Sequence, residues 1–200
     1  MQALLVALLV AAPTPNVELE LGAGAAHPLE GDSTSSSYPF ASFTLQPRVA
    51  LDLWNTFSVG ASFLAIVGGE AVNGTAGVPT DTGHGAFTAT STLLSARVHS
   101  PGPPQVWAEL GGGIGHLISL QTDNSFEHAP LRSHAGFSMR LAGGARWPVG
   151  PRLLLGGELG LTRWSNVETG ATGPFGNPTS GRSTWALNLL FTTTYSLFER

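Results

Sequence analysis

The chain contains no cysteine and no lysine, and only 11% of its residues are charged. Without cysteine it has neither a disulfide framework nor a thiolate nucleophile. Its nine cationic residues are all arginine, and 13 acidic residues bring the formal net charge to −4, so no basic footprint for nucleic acid is expected. Soluble domains carry about 25% charged residues. This shortage of charge indicates that much of the surface does not face water.

A long apolar run is also missing, so no transmembrane helix is predicted, because such a helix needs about 20 apolar residues. The apolar stretch over residues 1–12 is too short for that purpose. We interpret residues 1–15 as a secretory signal peptide whose cleavage site is left open; the alternative is a retained apolar tail. Residues 16–200 are then predicted to form one domain.

What the chain does contain is alternation of apolar and polar residues with a period of two. In the last such stretch, Trp185, Leu187 and Leu189 share one face, and Asn188 and Thr192 share the other. Eight stretches show this split, so one apolar and one polar face are expected throughout. They are Val17–Ala25, Ala41–Leu53, Phe57–Val67, Ala86–Val98, Val106–Ile118, Ala135–Trp147, Leu153–Arg163 and Trp185–Phe198.

The connections between these stretches are alternately short and long. The short ones are residues 54–56, 100–104 and 148–151, and the long ones are residues 26–40, 68–85, 119–134 and 164–184. Aromatic residues stand at the strand ends and predict two interfacial girdles: Tyr38, Phe40, Trp54, Phe57, Trp147 and Trp185. The pattern predicts an all-β fold, an eight-stranded antiparallel up-and-down transmembrane β-barrel with short periplasmic turns and four long extracellular loops.

After residue 16 the whole chain resembles the small eight-stranded outer-membrane barrels similar to the OmpA transmembrane domain and OmpX. The resemblance lies in the eight alternating segments and the order of their connections. It implies a location in the Gram-negative outer membrane. The expected partners are outer-membrane lipids and lipopolysaccharide, together with the barrel-insertion machinery and periplasmic chaperones; the extracellular ligand of the loops is left open.

Nine charged residues fall on the polar, inward face of the predicted strands. Because buried ions are tolerated only when paired, we expect them to form a barrel-interior polar network. One cluster is predicted around Arg140, Glu158 and Glu109, and a second group near Glu20, Arg48 and Asp52. We interpret the network as a structural plug rather than a pore or a catalytic carboxylate pair. The nine residues are Glu18, Glu20, Arg48, Asp52, Arg97, Glu109, Arg140, Arg146 and Glu158.

No catalytic residue, metal site or cofactor is predicted. Four histidines lie in or beside the long loops without the close spacing of metal ligands, and we take them as solvated: His27, His84, His128 and His134. His116 falls on the lipid-facing side, and no serine stands beside it as a nucleophile. The glycine run at residues 111–115 lacks the following helix and lysine of a phosphate loop, so it is expected to make room inside the barrel.

The function predicted from these observations is non-enzymatic. The barrel would serve envelope integrity or surface interaction through its extracellular loops. Three alternatives stay open: a narrow pore for small or hydrophobic solutes, a lipid A-modifying enzyme, and a soluble lipocalin-like barrel whose apolar face lines a ligand cavity.

Overall fold

The computed structural model describes residues 16–28, 37–39, 42–53, 56–72, 83–121, 132–166 and 183–198. These residues form nine strand segments. They are β1 Asn16–Pro28, β2 Ser37–Pro39, β3 Ser42–Leu53, β4 Phe57–Val72, β5 Gly83–His99, β6 Gln105–Gln121, β7 Arg132–Pro148, β8 Leu153–Asn166 and β9 Ser183–Ser196. The predicted signal peptide lies outside the described residues.

The strands form one antiparallel sheet that closes on itself. Its order is β2-β4-β3-β1-β9-β8-β7-β6-β5, and pairing of β4 with β5 joins the two ends. The short β2 runs along β4 beyond the end of β3, with Tyr38 opposite Ala71, so β2 and β3 occupy one strand position. The prediction of an eight-stranded antiparallel barrel is therefore confirmed. No helix in the described ranges is long and apolar enough to cross a membrane.

The two ends of the barrel differ in their connections. At one end, β3–β4, β5–β6 and β7–β8 are joined through residues 54–56, 100–104 and 149–152, close to the predicted turns. At the far end the strands run further than predicted: β4 continues to Val72, β6 continues to Gln121, and β7 begins at Arg132. Backbone pairing holds these strand ends in the ladder although apolar and polar residues do not alternate in their sequence. The four predicted long loops fall largely outside the described residues and stay a prediction.

Apolar side chains cover the outside of the barrel. Leu94 is 73% exposed, Ile114 65% and Leu189 64%, and similar exposed residues stand on every strand from β3 to β9. The residues between them point inward, as in β3, where buried and exposed residues alternate, and most of the larger buried ones are polar or charged. A lipocalin-like barrel would show the reverse arrangement, so that alternative is wrong. Only a lipid surrounding accommodates such an outer wall.

The interior has two layers. Near the short turns it is filled by charged residues, described below. Toward the far end an apolar cluster takes their place, made of Ala26, Leu64, Ile66, Ala89, Trp164 and Ala186. This cluster explains why Leu64 and Ile66 fall on the polar face of their strand in the sequence.

Candidate functional site

The nine charged residues predicted for the interior all point into the barrel and are at most 6% exposed. We call this set, together with His99, the lumen network. Its members lie in the half of the barrel next to the short turns, because Arg97 is near the end of β5, Glu109 near the start of β6, and Glu158 near the start of β8. The side chains point inward because they occupy alternate positions along each strand, and closure of the barrel brings these side chains within reach of each other.

Glu109 is the point where three arginines converge. Arg97 and Glu109 are direct partners across β5 and β6, and their Nε–Oε2 distance is 3.0 Å. Arg48 Nε lies 3.0 Å from the same oxygen, and Arg140 Nη1 donates to Oε1 at 3.2 Å. Arg140 also donates through Nη2 to Glu158. The predicted association of Arg140, Glu158 and Glu109 is thus present in the structure.

Arg97 links this cluster to the opposite wall. Its Nη1 and Nη2 donate to the two carboxylate oxygens of Glu20 on β1, at 2.7 and 2.8 Å. Its guanidinium carbon lies 3.8 Å from the centroid of the Trp107 ring. A bidentate pair and a stacked ring hold the guanidinium in one place.

Arg146 makes the second bridge across the lumen. From β7 it binds Glu18 on β1 through Nη1 at 2.9 Å, and its Nε donates to Gln105 at 2.8 Å. Thr194 on β9 donates to Glu20 at 3.0 Å, and Arg48 donates to Ser58 on β4 at 3.4 Å. Every one of the eight strand positions therefore contributes a side chain to this connected layer.

The second predicted group, Glu20, Arg48 and Asp52, is not a separate cluster. Glu20 and Arg48 are direct partners across β1 and β3, as strand position suggested. Their side chains nevertheless reach beyond each other, Glu20 to Arg97 and Arg48 to Glu109. Asp52 Oδ1 lies 3.0 Å from His99 Nε2 instead. The interior of an eight-stranded barrel is narrow enough for such side chains to meet the far wall.

Three interior residues were not among the predicted site residues. His99, Trp107 and Trp164 are all buried, and Trp164 Nε1 donates to the Thr90 carbonyl at 3.2 Å. Their signal in the sequence was strand parity, which places each of them on the inward face. Each of these aromatic residues lies on the polar face of its strand, and this position, rather than the count of apolar residues, indicates that it points into the barrel.

The predicted girdle is partly described. Phe57 is half-buried and Trp147 is exposed at the short-turn end, and Trp185 is half-buried near the other end. Tyr38 lies in β2, and Phe40 and Trp54 fall outside the described residues.

Of the four histidines predicted for the long loops, only His27 has a described side chain. His27 is exposed in β1, whereas His84 and His134 are placed only as members of β5 and β7, and His128 lies outside the described residues. Within the described ranges, no three His, Asp or Glu side chains are grouped as metal ligands would be. His116 is exposed on the outer wall, opposite Thr90 and Ala135 of its neighbouring strands.

No protein-family model matches the chain, and no curated protein matches it. Solved structures do match in fold. Neisserial surface protein A aligns with 92% of this chain and 98% of its own at a TM-score of 0.55 and 11% identity. Ail of Yersinia pestis, solved with the heparin analogue sucrose octasulfate, aligns with 92% of this chain and 99% of its own, at a TM-score of 0.54 and 12% identity. The outer membrane protein OprG of Pseudomonas aeruginosa aligns with 93% of this chain and 97% of its own, at a TM-score of 0.53 and 10% identity.

These likenesses concern the fold, and the fold agrees with the chemistry of the two barrel faces. A closed barrel with a charged interior and an apolar outer wall is the construction of the small eight-stranded outer-membrane proteins. The chain has this OmpA- and OmpX-like architecture, which is that of proteins of the Gram-negative outer membrane.

Proposed function

We propose that the protein is a non-enzymatic barrel, closed to solutes, that serves envelope integrity or surface interaction through the connections at its far end. The observation that carries this proposal is the lumen network. It joins side chains from all eight strand positions in one buried layer, with Arg97 and Arg146 bridging opposite walls. Breaking a buried ion pair costs about 3–5 kcal/mol, so the layer does not open readily.

The same proposal includes the partners of the outer wall. Exposed leucine, valine and phenylalanine side chains on neighbouring strands favour contact with outer-membrane lipid and lipopolysaccharide. An apolar wall of this kind also has to be shielded before insertion, which is the work of periplasmic chaperones and the barrel-insertion machinery.

One observation favours the alternative function, a narrow pore. Between the two interior layers, Thr44, Gln46 and Ser62 are buried, and their side-chain oxygens have no hydrogen-bond partner among the described residues. Arg48 Nη1 and the Gln46 amide nitrogen, both on β3, also lack a partner among the described residues. Buried polar groups of this kind are usually hydrated, so water in this sector is expected. A solute path would still have to cross the lumen network.

Conductance of the refolded protein in planar lipid bilayers separates the two functions. We expect no steady channel from the unaltered chain. Replacing the central pair together, Arg97→Ala with Glu109→Ala, removes the two side chains that fill the middle of the layer and is expected to raise ion flux. Arg152→Ala, in the turn between β7 and β8, is the matched control. Steady ohmic conductance of the unaltered chain would establish the pore instead.

The non-enzymatic part of the proposal has its own test. Lipid A extracted from Gram-negative cells with and without the protein is compared by mass spectrometry. We expect identical acyl and phosphate patterns, and a new lipid A species that depends on the protein would replace the proposal with the lipid-modifying enzyme.

A further inference from the structure

One charged side chain stands on the apolar outer wall. Arg163 of β8 is half-buried there, opposite Trp185 of β9. Among strand residues whose side chains the structure describes, every other charged one is buried inside the barrel. Since lipid-facing arginine destabilises a barrel near the bilayer midplane, its presence on this wall needs a local reason.

The height of Arg163 in the barrel supplies the first part of that reason. It lies three residues before the end of β8 at Asn166, at the end opposite the short turns. The energetic cost of an arginine on the lipid face falls steeply toward the interface. At this height we expect the guanidinium to meet lipid headgroups, which in the expected orientation belong to the outer leaflet.

The surroundings of Arg163 supply the second part. Its guanidinium carbon lies 5.2 Å from the centroid of the Trp185 ring, which fixes the arginine against an interfacial aromatic residue. Arg163 Nε is buried and has no hydrogen-bond partner among the described residues. Met139, the partner of Arg163 on β7, and Leu189 are exposed apolar residues nearby along the same wall. A cationic donor thus borders an exposed apolar surface.

His27 adds a polar group on the next strand. It is exposed on β1 opposite Leu187, two residues along β9 from Trp185. Arg163, Trp185 and His27 therefore lie on three consecutive strands, β8, β9 and β1, at one level of the outer wall.

We propose that Arg163, held by Trp185, binds a phosphate group of a lipid A molecule in the outer leaflet, with its acyl chains along the wall toward Leu189. The planar guanidinium fork matches the geometry of phosphate oxygens, and a partly desolvated site strengthens such a contact. This assignment rests on the lipopolysaccharide contact proposed above and on the orientation set by the short turns. It does not depend on whether the lumen conducts.

The test measures binding of diphosphoryl lipid A to the refolded full chain in detergent by native mass spectrometry. Arg163→Gln is expected to weaken binding about five-fold, the contribution of one cation at a membrane surface, whereas Arg163→Lys retains most of it. Arg152→Gln removes a cation at the opposite end and should leave binding unchanged. Retarded mobility on boiling, compared with the unboiled sample, verifies that each variant is folded.

Four outcomes overturn the assignment. If the unaltered chain does not retain lipid A, the proposed lipopolysaccharide contact fails with it. If Arg163→Gln binds as well as the unaltered chain, only this site is wrong. If Arg163→Gln weakens binding of lipid A stripped of its phosphates by the same factor, Arg163 contacts the acyl chains and not a phosphate. Preference for phosphatidylglycerol, or competition by inorganic phosphate, would show a different anion source.

Discussion

Single glycines on the inner face leave room for the largest interior side chains. A Cβ atom added to Gly115 would lie 2.5 Å from Trp164 Cδ1. One added to Gly144 would meet the Gly157 carbonyl oxygen and would lie 2.8 Å from Trp107 Cζ2. At Gly160 the obstacle would be Arg140 Nη2, at 2.7 Å. The glycines are thus paired in space with residues far away in sequence, which is the use of glycine that the run at residues 111–115 suggested.

Replacing Gly115 with alanine tests this pairing. The buried indole of Trp164 has to shift, so Gly115→Ala is expected to lower the free energy of unfolding by about 1–3 kcal/mol. Urea titration in lipid vesicles, followed by tryptophan fluorescence, measures it. Gly112→Ala is the control, because its nearest atom would be Phe137 Cζ at an ordinary 3.5 Å. With Trp164→Ala present the effect of Gly115→Ala should disappear; an unchanged effect would assign it to the backbone.

Residue by residue, the sequence predicted which charged side chains point inward, but not all of their partners. Alternation along the strand predicts which face of the sheet a residue occupies, and its distance in sequence from a turn predicts its height along the barrel axis. Neither quantity gives the reach across the lumen, which depends on closure of the barrel. For this reason the pair Arg97–Glu20, between β1 and β5, escaped prediction, while the cluster of Arg140, Glu158 and Glu109 on consecutive strands did not.

Among the strands, β3 is unusual because it contains a proline in its interior. Pairing of β3 with β4 runs from Phe43 to Leu45, resumes at Arg48, and skips Gln46 and Pro47, whereas pairing with β1 is continuous. Proline has no N–H group to donate to the ladder. The interruption borders the buried Gln46 side chain, whose amide has no partner among the described residues.

Pro47→Ala restores a backbone donor toward β4. One added hydrogen bond contributes about 1 kcal/mol, so amide exchange in this part of β3 and β4 is expected to slow about five-fold. Hydrogen–deuterium exchange of the protein in lipid nanodiscs, read on peptides covering residues 44–48 and 61–65, measures the change. Pro148→Ala, at the end of β7, is the matched control and should leave these peptides unaffected. Unaltered exchange would show that the interruption has another cause than the missing N–H.

The strand limits show what alternation can and cannot predict. Every predicted strand is present, and the short-turn ends agree closely, because Pro and Gly mark two of the three turns and the third is only three residues long. The strands extend further at the far end than predicted, because residues such as Gly68 and Gly69 pair with β5 but carry no side-chain signal. The strand β2 escapes prediction because its three residues are too few to show alternation. A ladder in a closed barrel continues as long as its neighbour does, whatever the side chains are.

For the whole molecule, the decisive quantity is orientation in the membrane. The charged layer lies toward the short turns, and the apolar cluster and Arg163 lie toward the other end. Short turns on the periplasmic side are the usual arrangement of outer-membrane barrels, so the lumen network is expected next to the periplasm. The proposed lipid A site then faces the outer leaflet.

Because the chain has no cysteine, single cysteines report this orientation without background. Gly102→Cys and Gly150→Cys place a thiol in two of the short turns, where an added side chain meets open space or an ordinary contact at 3.9 Å. Asn124→Cys places one in the connection between β6 and β7. A membrane-impermeant maleimide is expected to label Asn124→Cys on intact cells, and the two turn variants only after the outer membrane is permeabilised. The reverse pattern would invert the barrel and move Arg163 to the inner leaflet, where lipid A is absent.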